Sequence, residues 1–310
     1  MNPRTKNLTI SKEAPSARHV VKKLKLVLQL LLSTCLIVFV LQNLDLDQVK
    51  TLALHPQRAP LLFAAFIAFN GSKILGALRL NIYQRHAAMH VSEGENLRLY
   101  YAGMFLNLFL PGGVGGDGYK ILVLHRRYAL PLRTLIAITL ADRVSGILAL
   151  LFMLCLLVPM LPLPWEAPAA MVLTLASLAV VVALFISGHR WLMKIDMQGL
   201  ASVFVLGLSV QILQTICMGM LLLYLGTPAT YYIAYFAIFL FSSVAAVLPL
   251  SFGGLGVREA TFLFSVNAVH LDPTYGVIAS SWFFLITVLS SLIGSLFLPR
   301  FSLQLPTTKL

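Results

Sequence analysis

The chain has 310 residues, 59% hydrophobic and only 11% charged, where an ordinary soluble domain carries roughly 25% charged residues. Its formal net charge of +12 would suit nucleic acid, but the basic residues fall in short clusters between apolar runs and form no continuous polar face, so they mark the topology of a polytopic membrane protein. Cys35, Cys155 and Cys217 lie in apolar stretches without metal-ligand spacing, so neither a disulfide framework nor a zinc site is expected.

Residues 1–23 read as a basic cytoplasmic tail. Lys22, Lys23 and Lys25 flank the apolar run 24–41, which no small-x-small cleavage site follows, so it is a signal anchor or first span and not a removed leader. A crossing of roughly 30 Å of hydrocarbon needs about 20 apolar residues. Full spans are therefore expected near 24–41, 61–80, 134–158, 169–187, 201–225 and 274–298. Two more apolar regions, 97–127 and 231–270, are each split by proline and glycine. The arm before Pro111 has about 14 residues and reaches only about 21 Å as a helix, so that region is expected to be a re-entrant hairpin, its irregular turn shielded by protein or water. The stretch 231–248 is long enough to span alone, which leaves eight full spans as the alternative to six spans with two hairpins.

The breaks are copies of one pattern. Pro-x-x-x-Gly-Gly-x-Gly occurs at Pro111, Gly115, Gly116, Gly118 and again at Pro249, Gly253, Gly254, Gly256, an offset of 138 residues that also lays Lys120 on Arg258. The chain thus divides into a first membrane repeat, 24–158, a second, 159–298, and a C-terminal tail, 299–310. Arg and Lys place both tails, Arg79 to Arg98, Arg126 to Arg133 and the Arg190/Lys194 loop in the cytoplasm, while the loop 159–168 carries no basic residue. Three full spans separate corresponding points, so the repeat is inverted, with one hairpin entering from each side. Glycine and proline breaks at matching places in two halves point to a transport site.

In each hairpin the glycines Gly115, Gly116, Gly253 and Gly254 permit positive φ and leave amides unshielded, and helices are expected to start at Tyr119 and Val257. Each start brings free N–H groups and the positive end of a dipole to membrane depth. Lys120 and Arg258 add formal charge there, Asp117 can cap the first helix, and Glu259 is favoured at the start of the second. The pair Asp142-Arg143 lies within the span 134–158; Arg143 is a candidate phosphate ligand and Asp142 a candidate partner for Arg258 or Lys120. Lys73 and Arg79 are weaker candidates, Arg79 as an interfacial anchor at a span end. Asn70 and Asn107 suit helix-to-helix hydrogen bonds. The plainer alternative makes all these charges caps and internal ion pairs.

The run from Asn107 through Pro111, Asp117 and Lys120, then Asp142-Arg143-Val-Ser-Gly146, then Pro249 through Gly256-Val-Arg258-Glu259 resembles the lysylphosphatidylglycerol synthase transmembrane-domain family from about residue 20 onward. The resemblance implies a multi-pass protein of a bacterial or archaeal cytoplasmic membrane. Its expected function is that of a flippase for a phospholipid or polyprenyl-linked lipid, with membrane lipids and a lipid-synthesis or transferase protein as partners. Many members carry Glu-Arg-x-x-Asp where this chain has Gly146 in the last place. Lysyl transfer resides in a soluble domain of the longer relatives, and the chain ends about a dozen residues past the last span, so transferase activity is not expected. HExxH, P-loop and Ser-x-x-Lys patterns are missing, and no catalytic residue, metal or cofactor is assigned. The alternative is a membrane glycosyltransferase or other lipid-modifying enzyme using Asp117 and Asp142 as carboxylates.

Overall fold

Apolar runs in lipid must satisfy every backbone N–H and C=O internally, and helices do so along their own length. In the computed structural model, which describes residues 38, 42, 55–109, 115–161, 167–247, 256–269 and 271–298, no strand occurs among the described residues. Nine helices follow in order: α1 (Ala59–His86), α2 (Glu93–Phe109), α3 (Gly115–Tyr128), α4 (Leu132–Leu157), α5 (Ala167–Met193), α6 (Met197–Leu225), α7 (Tyr232–Val247), α8 (Val257–Val269) and α9 (Pro273–Leu292). Punctuation matches residue type. Asp196 caps α6 by accepting from Gly199 N–H, Gly226 ends it at φ +75°, and Asp272 caps α9 ahead of Pro273.

Six of these helices, some with a flanking 3-10 turn, are long and apolar enough to cross a membrane: Pro56–His86, Leu132–Met160, Pro168–Met193, Met197–Leu225, Ala229–Val247 and Pro273–Phe297. The chain is an all-α polytopic membrane protein. Five of the expected spans are among the six, while the run 24–41 lies outside the described residues apart from Val38. The sixth is the arm before the second break, so the open alternative at 231–248 resolves toward a full-length helix. The helices α2, α3 and α8 have 17, 14 and 13 residues; at 1.5 Å per residue the last two reach only about 20 Å.

The 138-residue offset recurs in the helix bounds. Moved by 138, α1 falls on 197–224, α2 on 231–247, α3 on 253–266 and α4 on 270–295, closely over α6, α7, α8 and α9 with the turn Ile293–Phe297 that extends it. The counterparts α1 and α6 form the most extensive helix pair, and they run antiparallel. His55 N–H donates to Tyr224 Oη at 2.9 Å and Arg58 Nη1 to Tyr224 O at 3.1 Å, so the start of α1 meets the end of α6. Two cores follow. The first half of α1 and the second half of α6 pack with α7, α8 and α9 through Phe69, Leu221, Phe239 and Phe262. The opposite halves pack with α2 to α5 through Tyr83, Leu99, Ile138 and Val203. On α5, Met171, Val172 and Leu175 point outward, each at least 60% exposed, an apolar surface suited to lipid.

Candidate functional site

The charged residues inside the bundle form two clusters, one per half. In the first, α3 crosses α2 where Gly103 faces Gly116: a Cβ on Gly116 would stand 1.9 Å from Gly103 O. Only glycine permits that approach, and it brings Asp117 and Lys120 against α4. Asn107 Oδ1 accepts from Gly116 N–H at 2.7 Å, satisfying one of the free amides at the helix start. Asp117 then divides its carboxylate between two cations. Lys120 Nζ lies 2.7 Å from Oδ1, and Arg143 Nε donates to Oδ2. Beside them Arg79 Nε donates to Asp142 Oδ1 at 2.9 Å and Nη2 to Asp142 O at 3.1 Å. Arg79, Asp117, Lys120 and Asp142 are buried, while the Arg143 side chain keeps 32% exposure. Three cations against two carboxylates leave this cluster one positive charge in excess.

The second cluster surrounds the start of α8. Gly256 takes φ +81°, and its N–H donates to Glu259 Oε2 at 2.8 Å, the reciprocal half of a capping box. Glu259 Oε1 accepts from Ser280 Oγ at 3.0 Å, so both oxygens are engaged. Arg258 Nη1 donates to Ser243 Oγ at 3.0 Å, and its guanidinium lies 5.2 Å from the Phe239 ring and 4.8 Å from the Phe283 ring. Lys73 Nζ sits 4.2 Å over Phe69. Both cations line a cavity of about 140 Å³ with Gln214, Glu259, Phe284 and Thr287. Among the described residues neither has a carboxylate within ion-pair distance. Charge without a counter-ion at membrane depth is costly and marks a place where an anion can be received.

Several sequence expectations meet different geometry. Asp142, offered as partner to Arg258 or Lys120, is bound to Arg79, and Arg143 pairs with Asp117 and not with a separate acid. Arg79 is no interfacial anchor: α1 continues to His86, two turns beyond it, and buries it to 5% exposure. The apolar continuation Leu80 to Tyr83 was the signal for that. The first helix starts at Gly115, earlier than Tyr119, because its glycines serve close packing and not a left-handed turn; Asp117 is accordingly inside the helix. The second starts at Val257 as expected. Lys73 joins Arg258 in one cavity, a convergence that needs α1 and α8 side by side. Asn70 bonds Ser290 and Tyr101, and Asn107 bonds α3, both helix-to-helix as expected. Gly253 and Gly254 lie outside the described residues.

No curated protein matches the chain. The model of the family described as the lysylphosphatidylglycerol synthase TM region matches residues 26–294, which hold both charge clusters and every helix but the final turn, and the chain belongs to that family.

Proposed function

We propose that this protein moves an anionic, phosphate-bearing lipid across the cytoplasmic membrane of a bacterium or archaeon, with the head-group phosphate received by Lys73 and Arg258. The observation that carries this reading is the convergence of those two cations on one cavity without an ion-paired carboxylate, Glu259 being held by Gly256 and Ser280. Gln214 and Thr287 add hydrogen-bonding groups, and the phenylalanine walls suit the first carbons of a lipid ester. The cavity's about 140 Å³ is well below the roughly 300–1,000 Å³ of pockets that take whole small molecules. That favours a phosphate with its chains left in the bilayer over a sugar nucleotide. The carboxylates a glycosyltransferase would draw on, Asp117 and Asp142, each neutralise a buried cation.

In this reading the two halves are inverted repeats with cytoplasmic termini, α2 and α3 form a re-entrant hairpin, and rocking of one half against the other exposes the site alternately. The recurrence of helix bounds at 138 residues and the antiparallel α1 and α6 support it. The test is translocation in proteoliposomes with labelled phosphatidylglycerol, cardiolipin, zwitterionic and polyprenyl-phosphate lipids. An anionic lipid is expected to cross with wild type. Its rate falls roughly ten- to a hundredfold in Lys73→Gln/Arg258→Gln, the scale of lost charge-assisted hydrogen bonds at about 1.5–3 kcal/mol. Full transport by that folded variant overturns the assignment, and a modified lipid appearing in place of a translocated one would favour an enzyme.

A further inference from the structure

We infer that Asp117 is an internal stand-in for a lipid phosphate, and that Lys120 and Arg143 beneath it form a second, latent phosphodiester site. The inference rests on the transport reading above and extends it to the other half of the molecule. Lys120 and Arg258 are 138 residues apart, each early in the short helix that follows the repeated motif. Their present states differ. Arg258 opens onto the cavity, whereas Lys120 is held by an acid three residues before it. The position 138 residues beyond Asp117 is Leu255, so the second half lacks the equivalent anion.

The way Asp117 is held identifies what it replaces. It is a monoanion with two oxygens, Oδ1 on the ammonium of Lys120 and Oδ2 on the guanidinium of Arg143. A phosphodiester is also a monoanion with two free oxygens, and cations fix it by the same paired contacts. Charge count selects the class. Arg79, Lys120 and Arg143 against Asp117 and Asp142 leave one positive charge, which a phosphodiester neutralises and a doubly ionised phosphomonoester overshoots. The part-exposed Arg143 is the cation an incoming lipid reaches first, and exchange of Asp117 for phosphate leaves neither cation bare at any stage. The two halves thus present one open and one internally occupied phosphate site, as alternate use of two equivalent sites requires.

The experiment counts bound short-chain phosphatidylglycerol on the purified full chain by native mass spectrometry. Wild type is expected to hold one lipid tightly, lost in Arg258→Gln. Asp117→Asn holds two, and Asp117→Asn/Arg258→Gln holds one. An Asp117→Asn protein that still binds a single lipid, sensitive to Arg258→Gln, overturns the inference and leaves the transport site standing. A wild-type lipid indifferent to Arg258→Gln, with a second gained in Asp117→Asn, overturns the Arg258 site and supports the latent one. Should Asp117→Asn fail to fold, wild type titrated to higher lipid carries the test, because an internal competitor weakens entry without barring it. A second lipid is then expected at roughly tenfold or more higher concentration and is lost in Lys120→Gln, which keeps Asp117 paired with Arg143. A second lipid that never appears, or that ignores Lys120→Gln, overturns the inference.

Discussion

Arg79 and Gly146 face each other across α1 and α4: a Cβ on Gly146 would lie 3.5 Å from Arg79 Nη1, the one nitrogen of that guanidinium without a hydrogen-bond partner. Gly146 is also where many family members carry an acid, so the unmatched nitrogen is the structural trace of the missing carboxylate. Gly146→Asp is expected to supply that partner and stabilise the protein by roughly 1.5–3 kcal/mol, the range for hydrogen bonds to charged groups. Gly146→Ala, which only adds a methyl at ordinary contact distance, gains at most about 1 kcal/mol from helix propensity. Thermal unfolding in detergent compares them, and an Asp variant less stable than the Ala variant contradicts the assignment.

The pair Arg79–Asp142 ties α1 to α4 in the interior. Removing one member strands the other, and breaking a buried pair costs about 3–5 kcal/mol. Asp142→Asn should therefore unfold at clearly lower temperature than wild type. Arg79→Leu/Asp142→Leu should recover most of the loss, because well-packed apolar replacement of both partners is close to neutral.

Gly116 and Gly118, two residues apart in α3, predict opposite outcomes. Alanine at 116 drives a Cβ into Gly103 O, whereas nothing lies within 4 Å of the same atom at 118. Gly116→Ala should cost about 1–3 kcal/mol or more by overpacking and push Asp117 away from Arg143. Gly118→Ala should be neutral or mildly stabilising. Parallel unfolding curves decide this.

Glu259 combines a cap with charge beside the cavity. Glu259→Gln keeps an amide oxygen as acceptor and removes the negative charge near Arg258 and Lys73, so folding should persist while affinity for an anionic lipid rises roughly tenfold. Glu259→Ala also loses the contact to Gly256 N–H and should cost about 1 kcal/mol. Binding and melting measured together separate the two effects.

Much of this architecture was legible in the sequence. Apolar run length placed five spans, and the Pro/Gly motif with its 138-residue offset marked the two breaks and matched helix bounds across the halves. What escaped were relations between elements. Whether a glycine serves a positive φ or a close crossing depends on what stands opposite: Gly256 does the first, Gly116 the second. Arg79 and Lys73 lie on one helix but enter different clusters, because α1 passes through both cores. Nothing local to Asp142 could reveal that its partner lay 63 residues earlier.

The most direct test of the central claim is photo-crosslinking with a phospholipid bearing a photoreactive group beside its phosphate, in reconstituted membranes. The account predicts labelled peptides from α1 around Lys73 and from the start of α8 around Arg258, competed by unlabelled anionic lipid and lost in Lys73→Gln/Arg258→Gln. Label confined to the outward face of α5 around Met171 and Leu175, unchanged by competitor and by that variant, would contradict it.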